Sequence, residues 1–235
     1  MGGNFFHYST ETIIKIHILK LTISIIMEEK PFLLIIGNSN VGKSSITKLL
    51  LKDASKYKGK IGKKPGSTLL IKPITQKNMS YQIVDLPGFG FSKSSSQRRE
   101  KHIKNQIVTH IEKNNEKYFY GLIVLNILRI EDELKKYHYK NTVTIPLSFE
   151  LISFLREFSI PLLIMINKID KVTTLYKKKI INLFITTAKQ YDLNVVSNND
   201  YNLHNLDEIP YLEFSALKKL NLGILKNNLN LFLKN

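Results

Sequence analysis

The chain has 235 residues, 43% of them hydrophobic, with no cysteine and a formal net charge of +16. That length buries one core and leaves no room for two large domains. The lack of cysteine excludes disulfides and thiolate metal sites and gives no sign of an oxidising compartment, so a cytoplasmic protein is expected. The histidines are scattered without the spacing of a metal site. The basic balance has two readings: a polyanionic partner, RNA first, or the abundant Lys, Asn and Ile that A/T-rich codons impose.

The first apolar stretch, "IIKIHILKLTISII" (Ile13–Ile26), is interrupted by Lys15, His17 and Lys20. It falls short of the ~20 apolar residues of a spanning helix and lacks the leader and cleavage site of a signal peptide. Residues 1–26 are therefore expected to be an extension outside the fold, with Met27 as the functional start and 27–235 as a single domain. An amphipathic membrane anchor is the alternative.

Candidate strands follow at Phe32–Ile36, Leu69–Thr75, Ser80–Asp85, Gly121–Leu128, Leu162–Asn167 and Tyr211–Phe214. Several are unbroken Ile/Leu/Val runs, as suits strands buried on both faces of a parallel sheet. Helices are expected at Lys43–Leu51, Arg98–Asn114, Ser148–Phe158, Thr174–Tyr191 and Leu222–Leu233, with long loops at Lys52–Ser67, Arg129–Pro146 and Val195–Glu208. The alternation predicts a doubly wound α/β domain: three layers, a mostly parallel six-stranded sheet and helices on both faces.

Chemistry enters at Gly37-Asn38-Ser39-Asn40-Val41-Gly42-Lys43-Ser44, followed by Ser45. This fits G-x-x-x-x-G-K-S between a strand and a helix, the setting of a P-loop. Its glycines let the backbone bend around a phosphate with successive amides turned inward, and the helix N-terminus adds positive potential. Lys43 supplies a point charge to the β- and γ-phosphates, and the Ser44 hydroxyl is a ligand for Mg²⁺.

Asn167-Lys168-Ile169-Asp170 ends the run "PLLIMINKID", on the strand edge where open α/β sheets bind ligands. A carboxylate at Asp170 accepts from both N1–H and the exocyclic amine of guanine, donors that adenine does not present. Lys168 would cover the base and Asn167 would tie the loop together. Ser215-Ala216-Leu217 follows another apolar strand, and its Ala216 amide is a candidate donor to guanine O6. Asp85-Leu86-Pro87-Gly88 closes "YQIVD", with Asp85 holding Mg²⁺ through water and the Gly88 amide reaching a γ-phosphate. The loop beyond, "FGFSKSSSQ", is then a switch that senses hydrolysis. In Gly66-Ser67-Thr68, Thr68 is the candidate for the second Mg²⁺ hydroxyl and Ser67 its alternative.

With "GNSNVGKSS", "KKPGST", "DLPGFGF", "NKID" and "FSALKK" in this order, the chain resembles the EngB (YihA-like) family of translation-factor-class P-loop GTPases over about Phe32 to Leu233. "IPLSFELISFLREFSIPLLIMINKIDKV" is similar to its archaeal branch. The resemblance implies GTP and Mg²⁺ binding, slow GTP hydrolysis and a role in assembling the large ribosomal subunit, with a family link to cell division and septation. The partners it implies are the ribosomal precursor's rRNA and proteins, with no DNA and no stable membrane association; a monomer is expected. Two positions depart from the family: Asn38 stands where Arg is usual, and Asn126 where a strand usually ends in Asp.

Ras-like enzymes orient the attacking water with a Gln after D-x-x-G; here that position is Phe89, which offers water no hydrogen bond. No cis arginine finger stands out, although Arg98 and Arg99 lie downstream. Related GTPases with Asn at the position of Asn40 hold K⁺ beside the phosphates, so catalysis is assigned to Lys43, Asn40, Thr68 and Gly88, with K⁺ as a second cation. The other reading of Asn40 is a stabiliser of the loop turn. The basic segments Lys56–Lys64 and Arg98–Lys104 are candidate rRNA contacts or solvated faces. Two further readings stand beside the hydrolysing assembly factor: a GTP-dependent binding module with little hydrolysis, and a membrane-recruited regulatory GTPase using residues 1–26.

Overall fold

Five consecutive apolar residues, Phe32–Ile36, form the first strand, β1, and all are buried. The computed structural model describes residues 30–55, 57, 71–88, 97–139 and 144–234, and from Pro31 onward these make one unit. Helix α1 (Lys43–Leu50) follows β1, then β2 (Gln82–Asp85), α2 (Gln97–Asn114), β3 (Tyr118–Asn126), α3 (Ile127–Leu134) and α4 (Leu147–Glu157). The chain finishes with β4 (Leu162–Asn167), α5 (Thr174–Lys189), β5 (Asn194–Ser197), β6 (Glu208–Glu213) and α6 (Leu222–Lys234).

The sheet has six strands in the order β2-β1-β3-β4-β6-β5, and every ladder is parallel. Strand alternation divides the core. Phe32, Leu34 and Ile36 face Ile107 and Ile111 of α2, Ile130 of α3, Phe149 and Ile152 of α4, and Phe184 of α5. Leu33 and Ile35 face Ile46 and Leu50 of α1 and Leu225 and Leu229 of α6. The predicted three-layer architecture is therefore present. Each such side chain, fully buried, contributes about 1.5–3 kcal/mol.

Three local expectations are corrected. Of Leu69–Thr75, only 71–75 lie among the described residues, and there Ile74 makes one isolated antiparallel bridge to Ile83. Pro73 has no N–H to extend the ladder. The sixth strand is instead β5, which runs into the start of the expected loop Val195–Glu208: a short edge strand in which only Val195 is buried. The expected loop Arg129–Pro146 begins as helix. Ile127, Ile130 and Leu134 recur at helical spacing on the buried side of α3, so the preceding strand stops at Asn126 rather than Leu128.

β1 sits at the switch point of the sheet, because the chain moves from it to β2 on one side and later to β3 on the other. The loop after β1 therefore opens into the crevice where doubly wound sheets bind ligands. Among the described residues no helix is long and apolar enough to cross a membrane.

Candidate functional site

The P-loop is held by hydrogen bonds to its carbonyls. Lys43 Nζ donates to the carbonyls of Gly37 and Asn38, each at 2.8 Å. Arg129 Nη1 lies 3.4 Å from Ser39 O, Lys168 Nζ 2.7 Å from Asn40 O, and Asn167 Nδ2 2.8 Å from Val41 O. Gly42 O accepts from the amides of Ser45 and Ile46 in the first turn of α1, both at 3.0 Å. Each carbonyl from Gly37 to Gly42 thus has a donor. A loop whose carbonyls are all engaged is free to offer its N–H groups to a ligand, the property of an anion-binding nest.

Two glycines make this path possible. Gly37 has φ +146° and a Cβ there would lie 2.3 Å from Val124 O. Gly42 has φ +109°, and its Cβ would lie 2.2 Å from Asn167 Nδ2. The loop needs both the left-handed backbone and the missing side chain. Asn40 also takes a positive φ of 62°, a conformation asparagine tolerates better than most residues. Its side chain is exposed.

Lys43 is 7% exposed. Burial lowers its pKa to about 8, against the opposing pull of the Asp85 carboxylate. A desolvated ammonium of this kind is stabilised by an anion at its third donor position. Asp85, 3% exposed at the end of β2, accepts from the Tyr57 hydroxyl. Burial, then Asp85, pushes the Tyr57 hydroxyl up to about 12. The turn after β2 lies against the P-loop: Ser39 Oγ is 3.4 Å from Gly88 O, and a Cβ on Gly88 would meet the Ser39 backbone at 2.7 Å. Leu86 is buried and donates its amide to Ile35 O, 3.0 Å away; Pro87 is half-buried.

The candidate base-recognition residues meet on the neighbouring strand ends. Asn167 closes β4 and donates to the P-loop while accepting the Ala216 amide at 3.0 Å, so one side chain connects the two loops. The Ala216 amide, the candidate donor to guanine O6, is thereby engaged with Asn167 Oδ1. Lys168 takes φ 68°; burial, then Lys171 and Arg129, lower its pKa. Asp170 Oδ1 accepts from Ser215 Oγ, which itself accepts the Lys218 amide at 3.0 Å. Leu217 is exposed.

The hard oxygen donors Ser44 and Asp85 fit Mg²⁺, which takes one or two protein ligands and completes its shell with phosphates and water. No cluster of three or more His, Cys, Asp or Glu occurs among the described residues. Asn38 Oδ1 is a buried acceptor with no hydrogen-bond partner among the described residues. Gly66, Ser67, Thr68 and Phe89 lie outside the described residues, as do the side chains of Arg98 and Arg99. Sequence reasoning missed two residues at the site, Arg129 and Tyr57. Neither belongs to a motif, and only the fold brings them to the P-loop and to Asp85.

A family model described as 50S ribosome-binding GTPase matches residues 32–168. A probable GTP-binding protein EngB from Methanococcus aeolicus is 34% identical over 146 residues, covering 62% of this chain and 61% of the relative. One from Pyrococcus horikoshii is 34% identical over 136 residues, covering 58% and 59%. The chain thus spans about three fifths of the length of these curated relatives. The crystal structure of a probable GTP-binding protein EngB superposes with a TM-score of 0.65 at 27% identity, covering 86% of this chain and 98% of the other. Translation elongation factor SelB from Methanococcus maripaludis, solved with the GTP analogue GppNHp, shares the fold at 20% identity and a TM-score of 0.53, over 88% of this chain and 34% of that one.

Proposed function

Because the chain belongs to the EngB family of P-loop GTPases, we propose that it binds GTP with Mg²⁺, hydrolyses it slowly, and acts in assembly of the large ribosomal subunit. The observation that carries this reading is the junction at Asn167, where one side chain joins the phosphate loop at Val41 to the base loop at Ala216. A nucleotide bridging those loops would have its phosphates at the P-loop amides and Lys43, and its guanine edge at Asp170.

Ser44 and Asp85 would hold Mg²⁺, with Thr68 as a further hydroxyl; the ion would neutralise charge on the β- and γ-phosphates. Lys43 stabilises the same charge from the loop side, and the Gly88 amide orients the γ-phosphate. With Phe89 in place of a water-orienting Gln, the chain's own residues supply little acceleration, so basal turnover is slow. Asn40 is assigned as a K⁺ ligand, with the amide oxygen of Asn38 a second acceptor in the same loop. The match to a ribosome-binding family supports the large-subunit partner, and the net charge of +16 suits rRNA phosphates. The family's link to cell division belongs to this proposal as well.

The test is co-sedimentation with large ribosomal subunits in GTP-analogue and GDP states, with single-turnover hydrolysis in KCl and in NaCl. Association favoured by the GTP analogue and faster cleavage in KCl are expected. Association indifferent to nucleotide overturns the assembly role, and equal rates in the two salts overturn the K⁺ assignment.

A further inference from the structure

Tyr57 belongs to none of the nucleotide-binding motifs, yet its hydroxyl lies in the metal half of the proposed site. It donates to Asp85 Oδ2, and the Ser44 and Thr47 side chains lie near enough to oppose the rise in its pKa. Ser44 and Asp85 are the two oxygen donors assigned to Mg²⁺, Asp85 through water, so the phenol hydroxyl occupies the carboxylate to which that water would bond.

The segment carrying the ring is pinned in several places. Gln76 Oε1 accepts the Lys52 and Asp53 amides at 2.9 and 3.1 Å, and its Nε2 donates back to Asp53 O. Asp53 Oδ1 accepts the Ser55 amide at 2.9 Å, and the Tyr57 amide donates to Ala54 O at 3.2 Å. Residues 51–55 are thus tied down, and the half-buried Tyr57 ring lies at Asp85.

The geometry points to Tyr57 as a plug of the metal site: its hydroxyl holds the Asp85 carboxylate in the nucleotide-free protein and is displaced when Mg²⁺ and nucleotide bind. The inference rests on reading the site as one for Mg²⁺ and guanine nucleotide. The competition is steric and electronic. Mg²⁺ demands a near-octahedral shell of oxygens at about 2.0–2.1 Å; Asp85 would reach that shell through one of its waters, and a phenol hydroxyl on Asp85 Oδ2, with the ring behind it, takes the place of that water. The segment after α1 then has two positions, plugged and released, and the apparent affinity for Mg²⁺ is reduced by the plugged fraction.

The test titrates GDP calorimetrically into the full chain at a series of fixed Mg²⁺ concentrations, using wild type, Tyr57→Phe, and Tyr137→Phe as a surface control. Tyr57→Phe is expected to lower the Mg²⁺ concentration giving half-maximal GDP affinity by roughly tenfold, while Tyr137→Phe leaves it unchanged. An unchanged or higher Mg²⁺ requirement in Tyr57→Phe overturns the plug, the higher value marking a hydroxyl that assists the metal. A second reading uses ¹³Cζ-tyrosine NMR of the wild type: the resonance lost in Tyr57→Phe should shift on addition of Mg²⁺ and GDP, and a resonance that stays in place also overturns the plug. Failure of the wild type to bind GDP at any Mg²⁺ concentration overturns the nucleotide reading itself, and the plug with it. GDP binding with the same Mg²⁺ dependence in both proteins removes the plug alone.

Discussion

Asp170 concentrates the proposed base specificity in one carboxylate. Ser215 holds one of its oxygens, which fixes the rotamer before any base arrives. In Asp170→Asn the carboxylate becomes an amide, whose NH₂ faces the guanine donors while its oxygen matches only one of them. Sites built to hydrogen-bond a substrate reject the mismatched partner strongly, by factors up to 10⁴–10⁵ when fully buried. For this more open loop, GTP affinity should fall by about 10²–10³, while affinity for XTP, which carries a carbonyl in place of the exocyclic amine, should rise. Calorimetric titration of both nucleotides checks the exchange; equal losses for GTP and XTP would mean that Asp170 supports the loop and does not read the base.

At the scale of elements, the beginning of α3 explains one of the two departures from the family. Asn126, 6% exposed, ends β3 and caps the helix, its Oδ1 accepting the Leu128 amide at 3.2 Å. Asn and Asp are equally good N-caps, so the usual Asp and the Asn found here do the same work. Asn126→Ala should cost about 1–2 kcal/mol, whereas Asn126→Asp should stay within about 1 kcal/mol of wild type; urea unfolding of the three proteins decides it. The same element shows where sequence reading runs out. β1, β4 and α1 were plain because their apolar patterns are unbroken and their ends carry the P-loop and Asn167. The cap of α3 and its spacing Ile127, Ile130, Leu134 were also present in the sequence, but the apolar run of β3 flows into them without a break. β5 has four residues and one buried valine, too little pattern to separate an edge strand from a polar loop. At the site, motif spacing pointed to the residues proposed to touch a nucleotide. It was silent on Arg129 and Tyr57, whose partners lie 90 and 28 positions away.

Across the whole molecule, the proposed ligand site collects the C-terminal ends of β1, β2 and β4, the turn after β6 and the start of α3. A nucleotide spanning Lys43 to Asp170 would join elements that β3 separates within the sheet, so its binding energy would appear as stability of the whole domain. A ligand that binds only the folded state stabilises by about 2.7 kcal/mol at a hundredfold excess over its Kd. For a domain of this size each kcal/mol raises Tm by about 2–4 °C. GDP with Mg²⁺ at that excess should therefore raise the melting temperature by about 5–10 °C, and ADP at the same concentration should leave it near the ligand-free value. The base dependence carries the argument, because a P-loop alone would hold either diphosphate. If ADP stabilised as strongly as GDP, the phosphate half of the site would stand and its junction through Asn167 to a guanine-reading half would fall.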